Sequence, residues 1–100
     1  MDTTIFNQVA AEFGSPLYVY DNARIQTQFE RLTEAFKSVP RLKLNYAAKA
    51  LSNISILRLM KHLGSGLDTV SIQEVRLGLL AGFAPEDIIY TPNGVSLGEL

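Results

Sequence analysis

No cysteine occurs in the 100 residues, so neither disulfides nor thiolate metal sites can contribute to this protein. Histidine is scarce too: His62 stands alone, and no cluster of His, Asp and Glu with ligand spacing is present, so no metal is expected. No run approaches the roughly 18 apolar residues that a membrane-crossing helix needs. The N-terminus carries Asp2 and Glu12 with no basic cluster ahead of an apolar stretch, which makes a poor secretory signal. Charge of one sign is also missing. With 9 Lys and Arg against 10 Asp and Glu, the net charge of -1 creates no broad positive field for nucleic acid. Gly64-Ser65-Gly66 has the spacing of neither a P-loop nor a dinucleotide fingerprint. These absences lead to the expectation of a soluble, cytoplasmic protein.

What is present is a globular composition, 47% hydrophobic and 19% charged, with helical and strand periods in alternation. Ile5, Val9 and Phe13 recur every four residues ahead of Gly14, which predicts a helix over 4–13. After Ser15-Pro16, the run Leu17-Tyr18-Val19-Tyr20 is rich in strand formers. Asp21 is a candidate N-cap for a helix whose apolar face is Ile25, Phe29, Leu32 and Phe36. Past Pro40, residues 42–48 read as a strand that runs into Lys49. Ile56, Leu59, Met60 and Leu63 predict the next helix, starting after Ser52-Asn53 and closed by Gly64. A brief apolar stretch over 67–70 leads into Ser71-Ile72-Gln73-Glu74, a capping box for a helix ending at Ala81-Gly82. Pro85-Glu86-Asp87 forms a turn before the strand Ile88-Ile89-Tyr90, and residues 96–100 resemble the first turn of a further helix.

The order strand, helix, strand, helix, strand implies a parallel sheet with crossover helices. A parallel sheet this small leaves an edge and one side uncovered, and no cap signal follows Leu100. The chain is therefore expected to be a truncation, although a small three-layer α/β domain has the same element order.

In parallel α/β proteins, functional groups gather at the carboxyl ends of the strands. Lys49 lies there, between Ala48 and Ala50, with room for a flat ligand to approach its amine. Partial burial would favour the neutral, nucleophilic form. The spacing alone fits an exposed, solvated lysine equally well. Asp68 holds the matching position on the next strand and is either a partner for that lysine or a turn residue. Ser71 and Glu74 are explained by capping, His62 by the last turn of its helix, and Asn93-Gly94 by a tight turn.

Several segments, taken together, narrow these alternatives. Gly14-Ser15-Pro16-Leu17-Tyr18-Val19-Tyr20-Asp21 resembles the opening motif of diaminopimelate decarboxylases. Tyr46-Ala47-Ala48-Lys49-Ala50 is similar to the lysine motif of the alanine-racemase-like, barrel-type enzymes that use pyridoxal 5'-phosphate. Leu63-Gly64-Ser65-Gly66-Leu67-Asp68-Thr69-Val70-Ser71 with Glu74 resembles the next block. Ala81-Gly82-Phe83 with Pro85, then Ile88-Ile89-Tyr90-Thr91-Pro92-Asn93-Gly94, resembles the block after that. One departure is Leu51, which stands where the family often has asparagine. Racemases of this type continue from the lysine into a Tyr-Gly-His-like run, which Ala50-Leu51-Ser52-Asn53 does not match.

The resemblance implies the N-terminal portion of a (β/α)8 TIM barrel, incomplete in this chain. Residues 1–20 would form a leading segment that contributes to a separate β-domain, and residues 21–100 the first βα units. It implies a pyridoxal 5'-phosphate-dependent decarboxylase that converts meso-diaminopimelate to L-lysine. Lys49 would be the Schiff-base lysine, with Ala47 close to the cofactor ring and Asp68 close to the lysine. Residues for the phosphate, the pyridine nitrogen and proton donation would follow position 100. A homodimer would complete the site, and the 100 residues alone would be inactive. Related decarboxylases of ornithine, arginine or carboxynorspermidine, and a non-catalytic truncated relative, are the alternatives.

Overall fold

A computed structural model describes residues 2–100. Asp2 caps helix α1 (Thr3–Phe13) by accepting from the Ile5 N–H, and Gly14 ends it. Asp21 opens α2 (Asn22–Ala35) in the same way, through the Arg24 N–H at 3.2 Å. Then follow β1 (Asn45–Ala47), a 3₁₀ turn (Ala48–Ala50), α3 (Ile54–His62), β2 (Gly66–Thr69) and α4 (Ile72–Ala81). A second 3₁₀ turn (Pro85–Asp87) leads into β3 (Ile88–Tyr90), and a third spans Leu97–Glu99. No helix of the described residues is long and apolar enough to cross a membrane.

The three strands form one parallel sheet in the order β1-β2-β3, so the expected βαβαβ alternation is present. Two of the expected strands differ from the structure. Residues 17–20 carry strand-forming side chains but adopt no regular element, because no described strand lies beside them to accept a ladder; Tyr18 is 87% exposed. The strand expected over 42–48 shortens to Asn45–Ala47. Arg41 at φ 59 turns the chain before it, and the 3₁₀ turn takes over at Ala48.

Successive strand residues point to opposite faces of the sheet. The register aligns Tyr46 with Leu67 and Leu67 with Ile88, and this row meets α3 and α4. Leu57, Met60, Ala81 and Phe83 complete the core there, with Ile25 and Phe29 of α2 packed at its border. Leu32 and Phe36 stay exposed, so only the first half of the apolar α2 face is covered. The next row, Ala47, Asp68 and Ile89, lies on the other face, where Ile89 is exposed.

Two glycines permit the close packing of α4. At Gly78 a Cβ would lie 2.5 Å from Leu67 Cδ2, so a side chain here would force either the buried Leu67 side chain or the helix to shift. Gly82 ends α4 in the left-handed region at φ 103, a conformation that side chains rarely adopt. At the other end, the Ser71 hydroxyl accepts from the Glu74 N–H at 3.2 Å. The Glu74 carboxylate returns to the Val70 N–H at 3.0 Å, one residue earlier than in the usual capping box.

Candidate active site

The two rims of the sheet differ in chemistry. At the amino ends of the strands, the Lys43 ammonium pairs with the Asp87 carboxylate, so that lysine is already neutralised. At the carboxyl ends stand Lys49, Asp68 and Thr91. Ala47 pairs with Asp68 in the β1–β2 ladder, and Lys49 follows two residues past Ala47 in a turn that contacts β2. Lys49 and Asp68 therefore share a rim. Ala48 is fully buried and anchors the turn, whereas Lys49 and Ala50 are exposed. The partial burial expected of Lys49 is not found, because the described residues cover only the helical side of the sheet. Among the described residues, no hydrogen bond or ion pair holds the Lys49 amine.

Asp68 is half-buried, and the Thr91 hydroxyl donates to its Oδ1 at 3.0 Å. Thr91 is held in turn by its backbone N–H, which donates to the Thr69 carbonyl at 2.9 Å. The buried Thr69 hydroxyl donates to the Ile89 carbonyl at 2.8 Å, tying the same two strand tips from the other side. Sequence reasoning missed Thr91. Its only local signal is Pro92, which restricts the preceding residue to extended backbone.

Tyr46 braces the turn that carries Lys49. Its hydroxyl donates to the Leu51 carbonyl at 2.8 Å, bridging the strand before Lys49 and the loop after it. Burial pushes the Tyr46 phenol above the ordinary 10.0, with a smaller contribution from Tyr20. The raised value favours the protonated form, the only one able to donate. Tyr46→Phe is expected to destabilise the protein by about 1 kcal/mol, read from the denaturant midpoint. Stability linked to this phenol is complete below 10 and falls as pH rises through the raised folded value, so the gap between variant and parent should close in that range. A midpoint unchanged at neutral pH would remove the bracing role.

The other candidates keep local roles. Ser71 and Glu74 serve as a cap, His62 is exposed in the last turn of α3, and Asn93-Gly94 bends at φ 64 beyond β3. A groove of about 450 Å³, lined by Ile25, Phe29, Leu32, Tyr46 and Met60 among others, lies between α2 and the sheet; neither Lys49 nor Asp68 lines it.

The residues fit one end of a pyridoxal-type cofactor. A primary amine without a partner suits condensation with an aldehyde. Ala47 before the turn, with Ala48 and Ala50 within it, puts no bulky side chain next to Lys49 in sequence, and a held carboxylate occupies the same rim.

Comparison with known proteins agrees with this chemistry. Residues 22–100 match the family described as pyridoxal-dependent decarboxylase, pyridoxal binding domain. A diaminopimelate decarboxylase of Methanothermobacter thermautotrophicus is 43% identical over 94 residues, covering 93% of this chain and 22% of that protein. The crystal structure of diaminopimelate decarboxylase from Helicobacter pylori complexed with L-lysine is 41% identical, with a TM-score of 0.81 over 94% of this chain and 24% of that one. The lysine/ornithine decarboxylase from Vibrio vulnificus, complexed with putrescine, is 25% identical, with a TM-score of 0.85 over 96% of this chain and 26% of that one. The chain thus spans about a quarter or less of the length of these relatives.

Proposed function

The chain belongs to the pyridoxal-dependent decarboxylases, as their pyridoxal binding domain, and from that premise we propose that it is the leading part of an enzyme that decarboxylates meso-diaminopimelate to L-lysine. The observation that carries the reading is the place of Lys49: an amine two residues past β1, without a partner among the described residues, on the rim that also bears Asp68. In this reading residues 21–100 are the first βα units of a (β/α)8 barrel, which takes about 250 residues in all. The open row of Ala47, Asp68 and Ile89 faces the barrel interior. Residues 1–20 join a separate β-domain, and a homodimer in the cytoplasm completes the site. The family match beginning at residue 22 supports the boundary, and the parallel sheet supports the barrel.

Each residue then has a task. Lys49 would hold the cofactor covalently through its side-chain amine. Ala47 has no side chain beyond Cβ, so it leaves space for a flat ring. Asp68 places a carboxylate on the rim that bears Lys49, and Thr91 holds that carboxylate at 3.0 Å. When bound, pyridoxal phosphate supplies an aldehyde for attachment and a ring that accepts the electron pair left at the α-carbon as carbon dioxide departs. Groups for the phosphate and the pyridine nitrogen come from residues after position 100.

The substrate reading follows the identities, 33–45% to diaminopimelate decarboxylases against 25% to the lysine/ornithine enzyme. Carbon dioxide release by the complete protein tests it. We expect kcat/KM for meso-diaminopimelate to exceed that for L-ornithine or L-arginine by roughly ten-fold or more. Preference for L-ornithine would favour the related decarboxylases, and no release from any of them by folded, cofactor-loaded protein would favour a non-catalytic relative.

A further inference from the structure

We infer that Thr91 is a positioning residue for the reaction, acting through Asp68. The inference rests on the reading of Lys49 above and extends it to a residue on a third strand.

The Thr91 hydroxyl has one proton and two acceptors within reach: Asp68 Oδ1 at 3.0 Å and the Thr69 carbonyl at 3.2 Å. The carboxylate is the stronger acceptor, and it is also the nearer. The Thr69 carbonyl already receives the Thr91 N–H at 2.9 Å, which leaves the hydroxyl free to serve Asp68. Two restrictions preset its direction. Pro92 keeps Thr91 in extended backbone, and the β-branched side chain has few χ1 choices. The Asp68 carboxylate makes no other hydrogen bond among the described residues, so this donor alone fixes it on the open face. An aspartate without it would rotate among rotamers and spread its charge over the rim. The hydroxyl thus converts a mobile negative charge into one with a fixed position relative to the tip of β1, where Lys49 stands.

The test compares Thr91→Val and Thr91→Ser in the holoenzyme. Valine keeps the branched shape and removes the donor, whereas serine keeps the donor. We expect Thr91→Val to lower kcat about ten-fold with KM changed less than about two-fold, as for an interaction made in the transition state. The visible circular-dichroism band of the bound cofactor should weaken, since its orientation at the lysine is less well defined. Thr91→Ser should restore both. A Thr91→Val enzyme with the parent's kcat and dichroism, or a Thr91→Ser enzyme as impaired as Thr91→Val, would overturn the inference. Borohydride labelling of the same samples keeps the two readings apart. A label away from Lys49 would defeat the site assignment itself, whereas a label on Lys49 with parental behaviour of Thr91→Val would defeat only the role of Thr91.

Discussion

Lys49→Ala is expected to cut decarboxylation by the holoenzyme by roughly a thousand-fold or more, because it removes the only side-chain amine that the described residues offer on this rim for covalent attachment. The cofactor's visible absorbance in the purified protein should be lost with it. Folding should be little changed, since Lys49 is exposed and has no partner among the described residues to leave behind. Lys37 and Lys61 are the controls. Lys37 pairs with Glu34 at 2.7 Å beyond α2, and Lys61 lies in the last turn of α3, so neither occupies the carboxyl rim of the sheet. Alanine at either should leave both absorbance and turnover close to the parent. Equal losses at Lys49 and Lys61 would point to a general effect on stability rather than to chemistry.

Leu57→Ala should produce the largest loss of stability. Leu57 is 0% exposed on α3 and belongs to the cluster with Met60, Leu67 and Phe83. Truncation removes buried methyl groups and leaves a cavity that the surrounding side chains fill only in part, at a cost of about 2–5 kcal/mol. That is a large fraction of the margin of about 5–15 kcal/mol typical of a domain. Arg58→Ala, the next position on the same helix but exposed, should change stability by less than about 0.5 kcal/mol. Chemical denaturation of the two variants beside the parent checks both. Similar midpoints for Leu57→Ala and Arg58→Ala would contradict the core described above.

The part of this fold that could be read from the sequence is the part written in short-range interactions. Asp21, Asn53 and Ser71 begin helices because each side-chain oxygen accepts backbone N–H groups two or three residues ahead. Gly82 stops α4 because a left-handed residue is needed there. Lys49 could be placed at a strand tip because the strand pattern ends at it. Other features depend on what lies across space. Residues 17–20 have strand propensity but no neighbouring strand to pair with, and no local pattern reports a missing partner. The exposure of Lys49 depends on what covers the open face of the sheet, not on its alanine neighbours. Thr91 escaped notice because its contact with Asp68, 23 residues away, exists only once β2 and β3 adopt their register. The resemblance supplied what periodicity could not, namely the aldehyde chemistry that distinguishes Lys49 from an ordinary surface lysine.

Reduction of the cofactor-loaded protein with borohydride, followed by peptide mapping, addresses the assignment of the reactive amine without relying on turnover. The mass of the pyridoxyl group should be found on the peptide containing Lys49 and no other. Stable modification of a different lysine, with Lys49 recovered unmodified, would contradict it.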